Sequence, residues 1–222
     1  MIPRKVRSFV RRDGRMTAAQ EYAFTHHMTL YGLPKASFQF EEIFSRAAPT
    51  IVEIGFGNGV SLFEIAKMDP ASNFIGIETH KPGVGQLLQH IARDELTNLR
   101  VYYGDAVEAL QECVPNQSID TFQIFFPDPW PKRRHHKRRL IQPEFVALLC
   151  SKLKPNGTLH LATDWQDYAE HMMKVLTAAS GFSNEYGVGE YAARSTQRPI
   201  LTKFEKRGEE EGRAIWELKF RV

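Results

Sequence analysis

Residues 50–59 read TIVEIGFGNG, and this stretch decides the fold. TIVEI is a short, β-branched apolar run of the kind that forms a strand covered on both faces. Gly55, Gly57 and Gly59 then turn the chain sharply, and residues 60–68, VSLFEIAKM, are spaced as a helix. A strand, a glycine-rich turn and a helix form the opening unit of an α/β sheet that holds a ligand against the turn. The alternation continues outward: NFIGIE (73–78), LRVYY (99–103), DTFQIFF (120–126) and TLHLAT (158–163) are each short apolar runs followed by helix-compatible sequence. That pattern predicts βαβ units and a mostly parallel sheet.

Upstream, Thr17-Ala-Ala-Gln20 is a capping box that opens a helix ending near Gly32, and Phe40, Ile43 and Phe44 are spaced for a second amphipathic helix. Residues 1–48 are therefore expected to form a basic arm and helical extension, and residues 49–222 the ligand-binding domain. Downstream, Trp216, Leu218, Phe220 and Val222 alternate with Glu217, Lys219 and Arg221, which predicts a strand with one buried face. Residues 200–206 are its expected partner across the turn RGEEEG, so the sheet is expected to finish in an antiparallel hairpin.

The 222 residues are 42% hydrophobic and 11% aromatic, enough for one substantial core and short for two. The net charge of +3 is unevenly placed. Residues 132–139 hold six Lys/Arg, and residues 4–15 hold six more against Asp13 alone; outside both, 17 basic residues face 25 acidic ones. An acidic body with two basic appendages suits an extended polyanion bound at particular places, with nucleic acid the leading candidate. Cys113 and Cys150 are far apart and have no companion at metal-ligand spacing, so neither a disulfide framework nor a metal site is indicated. The basic N-terminus lacks an apolar core and no apolar run reaches membrane-span length, which makes the cytoplasm the default compartment. The N-terminal extension favours a monomer.

Glu53 immediately precedes the glycine turn, and the third glycine of the dinucleotide pattern GxGxxG comes one residue early, with Val60 in its place. A carboxylate there repels a pyrophosphate and suits a ligand with a cationic amino-acid end, such as S-adenosylmethionine. Glu78 closes the second strand, where a carboxylate can accept hydrogen bonds from ribose hydroxyls, and Asp105 closes the third, where it can accept from an adenine amino group. Asp128, held between Pro127 and Pro129, is the fourth acid on the same edge. Amino-group methyltransferases carry (D/N)PP(Y/F) at this place, with the aromatic three residues after the acid. Trp130 comes after two, which disfavours that chemistry without excluding it.

EIGFGNG, GIE, YGDA, FFPDPWPKRRHHKRR, ATDW and TKFE, in this order and at these intervals, resemble the bacterial tRNA (guanine-N7-)-methyltransferases over nearly the whole chain. The resemblance implies a class I S-adenosylmethionine-dependent methyltransferase: an α/β, Rossmann-like domain with a mostly parallel seven-stranded sheet. It implies that Glu53, Glu78, Asp105 and Asp128, with Gly55, Gly57, Gly59 and Ala106, line the S-adenosylmethionine site, and that Asp128 is catalytic. Lys132, Asp164, Thr202, Lys203, Phe204 and Glu205 would contact the substrate. The run Arg133, Arg134, His135, His136, Lys137, Arg138 and Arg139 would bind tRNA. Guanine N7 bears an in-plane lone pair and no hydrogen, so the expected role of Asp128 is electrostatic or orienting rather than that of a base. Two rival readings stay open at this stage: exocyclic-amine or small-molecule methylation, and a non-catalytic RNA-binding module on a methyltransferase fold.

Overall fold

A computed structural model describes residues 14–194, 205, 208 and 210–222. The described residues contain a seven-stranded sheet whose strands, numbered in chain order, are Thr50–Ile54 (β1), Asn73–Glu78 (β2), Leu99–Tyr103 (β3), Ile119–Phe125 (β4), Leu153–Thr163 (β5), Ser183–Asn184 (β6) and Trp216–Arg221 (β7). Their order in the sheet is β3-β2-β1-β4-β5-β7-β6. The first five run parallel, while β7 pairs antiparallel with both β5 and β6.

The α-helices are Ala18–Tyr31 (α1) and Phe40–Phe44 (α2) ahead of the sheet, and Val60–Met68 (α3), Lys81–Arg93 (α4), Ala106–Glu112 (α5), Pro143–Lys152 (α6) and Gln166–Ala178 (α7) between its strands. The predicted capping box is present: the Thr17 hydroxyl accepts from the Gln20 N–H at 3.2 Å, and Gln20 Oε1 accepts from the Thr17 N–H at 2.9 Å. The two faces of the sheet carry separate cores. Ala23 of α1, Leu62 and Phe63 of α3, and Val84, Leu87 and Leu88 of α4 pack with Phe74 and Val101 on one side. Leu110 of α5, Val146 and Leu149 of α6, and Tyr168, Met172 and Leu176 of α7 pack with Val52, Ile54, Phe122, Leu161, Leu218 and Phe220 on the other. Each fully buried large apolar side chain, Phe122 for example at 0% exposure, contributes about 1.5–3 kcal/mol by leaving water.

The predicted strands at 50–54, 73–78, 99–103, 120–126 and 158–163 are all found, but the end of the sheet differs in two ways. The strand that pairs with β7 besides β5 is the short β6. Of the partner expected at 200–206, only Glu205 is described, and it is helical. Glu217, expected on the wet face of β7, is 1% exposed because its Oε2 lies 2.7 Å from Nε2 of His160 on β5, itself 2% exposed. That carboxylate has a buried partner, which offsets the cost of leaving water. Among the described residues, no helix is long and apolar enough to cross a membrane.

Candidate active site

The strand order reverses between β1 and β4, and ligands of open α/β sheets bind at the carboxyl ends beside such a switch point. A cleft of about 210 Å³ opens there. It is lined by Ile54, Gly55 and Gly57 after β1, by Ile77, Glu78 and Thr79 at the tip of β2, by Gly104–Val107 after β3, and by Phe125–Asp128 and Leu140 beyond β4.

Gly55 and Gly57 have φ of +79° and +62°, a region that favours glycine, and a Cβ on either would meet nothing within 4 Å. The loop therefore presents bare backbone to open space. Glu78 fixes it from the side: Oε2 accepts from the Gly57 N–H at 2.9 Å, while Oε1 accepts from the N–H groups of Thr79 at 2.6 Å and His80 at 2.9 Å. Behind the loop, α4 approaches so closely that a Cβ on Gly83 would stand 1.9 Å from the Gly57 carbonyl oxygen. Glu53, one residue before the lining residue Ile54, is 4% exposed. Asp105 lies at the N-cap of α5, where Oδ1 accepts from Val107 at 2.8 Å and Glu108 at 3.2 Å. Asp128 is exposed at the far wall, and both Phe126 and Trp130 on either side of it hold positive φ, 52° and 47°. Strained backbone of this kind concentrates at ligand sites.

The cleft thus brings together Gly55, Gly57, Glu78, Asp105, Ala106 and Asp128, with Glu53 and Gly59 adjoining. Asp164 ends the segment after β5 and lies beside the helical turn of Glu205 and Gly208; a Cβ on Gly208 would be 3.3 Å from that of Asp164. Both acids are ion-paired: Arg213 Nη1 is 3.0 Å from Asp164 Oδ2, and Arg194 Nε donates to Glu205 Oε1 at 3.1 Å. Neither arginine carried a signal in the sequence, since each stands alone in a polar segment. Thr202, Lys203 and Phe204, and the basic arm up to residue 13, lie outside the described residues.

The basic run after Asp128 is a 3₁₀ helix, Arg133–Arg138. Lys132, Arg133, Arg134 and Lys137 are exposed, as a polyanion-binding surface requires. Arg138 stacks its guanidinium 3.7 Å from the centroid of Trp130, and His135 meets the same indole edge-on at 5.9 Å. Partial burial, and then Arg134, Arg138, Lys132 and Lys137, lower the pKa of His135 from its ordinary value. Arg139, expected with the rest of the run on the RNA-binding surface, is placed differently from the others. Its side chain is 1% exposed and turned inward to the Pro129 carbonyl and Asp167.

Residues 47–218 match the family model described as "Putative methyltransferase". The chain is 51% identical over 219 residues to the tRNA (guanine-N(7)-)-methyltransferase of Pseudomonas savastanoi pv. phaseolicola, covering 98% of this chain and 89% of that one. It is 52% identical over 221 residues to the protein of the same name from Nitrosococcus oceani, covering 99% and 92%. The chain belongs to the tRNA (guanine-N7-)-methyltransferase family. Among solved structures, the 16S rRNA methyltransferase KamB superposes with a TM-score of 0.63 at 13% identity, over 86% of this chain and 95% of that one. An antibiotic-related methyltransferase superposes at 0.60 and 17% identity, over 83% and 93%. These two likenesses concern the fold, which is that of the class I methyltransferases.

Proposed function

We propose that this chain transfers the methyl group of S-adenosylmethionine to N7 of a guanine in the variable loop of tRNA. The observation that carries the reading is the convergence of Glu78, Asp105 and Asp128 with a bare glycine cradle on one cleft, in a chain about half identical to proteins of that name. Bound there, S-adenosylmethionine would supply an electrophilic methyl group on a sulfonium centre. The open space over Gly55 and Gly57 fits its amino-acid end, with Glu53 behind. Glu78 Oε1 is filled by the Thr79 N–H and hydroxyl and the His80 N–H, but Oε2 accepts only from Gly57 and retains a lone pair for a ribose hydroxyl, and Asp105 retains Oδ2 for the adenine edge.

N7 has no proton to remove, so the chain needs no general base. Asp128, at the mouth of the cleft, stabilises the positive charge that develops on the purine, and the remaining catalysis is alignment. Asp164 and Glu205 are acceptors for the guanine N1 and N2 donors, which adenine lacks, so Arg213 and Arg194 must yield part of their hold when the base enters. Lys132 and Arg133, Arg134, Lys137 and Arg138 meet the phosphates. N7 is hidden in the deep major groove of A-form RNA, which favours a guanine presented in a loop.

Incubation with methyl-labelled S-adenosylmethionine and unmodified tRNA, followed by digestion and nucleoside mapping, tests this. The expected product is 7-methylguanosine in the variable loop. Label in N2-methylguanosine, or no transfer by protein that binds the cofactor, overturns it.

A further inference from the structure

Arg139 is the last residue of the basic run, and its surroundings separate it from the others. Its side chain is 1% exposed. Nε donates to the carbonyl of Pro129, the residue after Asp128, at 2.9 Å. Nη2 pairs with Asp167 and lies 3.2 Å from Nε2 of His136, and the guanidinium stands 4.8 Å from the ring centroid of the fully buried Tyr168. Asp167 and Tyr168 belong to the first turn of α7, which starts two residues after Asp164. The same helix grips the chain just past Arg139, because the Tyr168 hydroxyl accepts from the Ile141 N–H at 3.2 Å and His171 Nε2, one turn on, lies 2.8 Å from the Ile141 carbonyl oxygen. One guanidinium therefore joins the loop that carries Asp128 to the helix that follows Asp164.

We infer that Arg139 is a positioning residue for methyl transfer: it sets the backbone that presents Asp128 and fixes its spacing from Asp164, and it contributes nothing to RNA affinity. The planar fork of arginine is what the site uses, with one N–H on a carbonyl, another on a carboxylate and the flat face toward an aromatic ring; an ammonium group cannot satisfy all three. The Pro129 carbonyl opens the peptide unit after the one that joins Asp128 to Pro129, and the proline ring between them fixes φ, so displacing that carbonyl displaces Asp128, and misplacement by about 1 Å costs on the order of 10²-fold in rate. The inference rests on the assignment of Asp128 above. Wild-type transfer and its loss in Asp128→Ala establish that assignment separately, before any Arg139 variant is compared.

The test compares Arg139→Ala, Arg139→Lys and Asp167→Asn with wild type in kcat at saturating tRNA, counted per S-adenosylmethionine-binding site, and in the salt dependence of tRNA binding. Arg139→Ala is expected to lose about 10²-fold in kcat, with Arg139→Lys and Asp167→Asn reduced in the same direction by less. The tRNA dissociation constant and its salt slope should match wild type in all three, and millimolar guanidinium should restore part of the Arg139→Ala rate. A role confined to stability would lower the number of binding sites and leave kcat per site and its rescue unmoved. Asp167 has a 60% exposed side chain, so if Arg139→Ala fails to fold, Arg139→Lys and Asp167→Asn decide by the same two measurements. Wild-type kcat in both of these, or a flattened salt slope in any Arg139 variant, overturns the inference.

Discussion

Gly57 and Gly83 are in backbone contact, yet a methyl group would do different things to each. At Gly57 it meets no atom within 4 Å, but φ is +62°. Gly57→Ala therefore costs about 1–2 kcal/mol of conformational energy and places its methyl in the space assigned to S-adenosylmethionine. Calorimetry should find cofactor binding weakened in a protein that still melts cooperatively. At Gly83 the added carbon would lie 1.9 Å from the Gly57 carbonyl oxygen. Gly83→Ala should instead displace α4 and lower Tm, with cofactor affinity falling as a consequence. Asp128 shares the cleft but not this constraint, because it is exposed on the opposite wall. Asp128→Ala should leave Tm near wild type and reduce kcat on the order of 10²-fold, the scale of one preorganised electrostatic contact. The pH–rate profile of the wild type should show no catalytic base titrating near neutrality; a proton inventory revealing transfer in the chemical step would contradict that.

Among the elements, the 3₁₀ helix and the Arg139 that caps it divide their cations by direction. Arg133 and Arg134 face solvent and Arg138 covers Trp130, whereas Arg139 points into the protein. Neutralising Arg133, Arg134 and Arg138 together should weaken tRNA binding and reduce its salt slope by about 0.7–0.9 for each phosphate that is no longer neutralised, with S-adenosylmethionine affinity unchanged. The attachment of this segment to α7 is also acid-sensitive. Hydrogen bonding and charge from Arg139 hold the Asp167 carboxyl below 3.8, and burial holds His171 below 6.5. Both folded values are depressed, so each contribution is complete above the ordinary value and is lost as pH falls toward the folded one. His171 acts first, below 6.5, and Asp167 below 3.8. Thermal melts across pH should show stability falling on acidification below 6.5, and His171→Gln should remove part of that slope, with the rest coming from His90, which burial also holds down. None of this division was legible in the sequence. KRRHHKRR reads as a uniform charge run, because the partners that turn Arg139 inward, Pro129 and Asp167, carry no signal of their own and are brought together only by the sheet.

At the scale of the molecule, what could be read in advance was what periodicity controls. β1 to β5 follow from apolar runs covered on both faces, and the four acids from their place at strand ends. Glu217 was misplaced because alternation assigns it to solvent, while its burial depends on His160, 57 residues away and on another strand. The two-residue β6 is too short to carry a pattern, and Glu205 is helical in a segment that alternates like a strand. Binding at the switch point should stabilise the whole sheet, since the cleft joins the tips of four strands: at a hundredfold excess over Kd, cofactor should add about 2.7 kcal/mol, visible as a concentration-dependent rise in Tm that Glu78→Ala largely loses. The position of β7 has a further consequence for how the molecule comes into being. It is the latest strand in the chain and an interior one in the sheet, paired on one side with β5 and on the other with β6. After residue 163 has been made, roughly 3 to 10 s of translation pass before residue 216 exists. Through that interval β5, whose Leu159 and Leu161 are fully buried in the finished protein, has an open edge that can pair with another chain. The nascent chain is thus exposed to aggregation during one definite window of its own synthesis, which closes when Trp216–Arg221 is threaded between its neighbours.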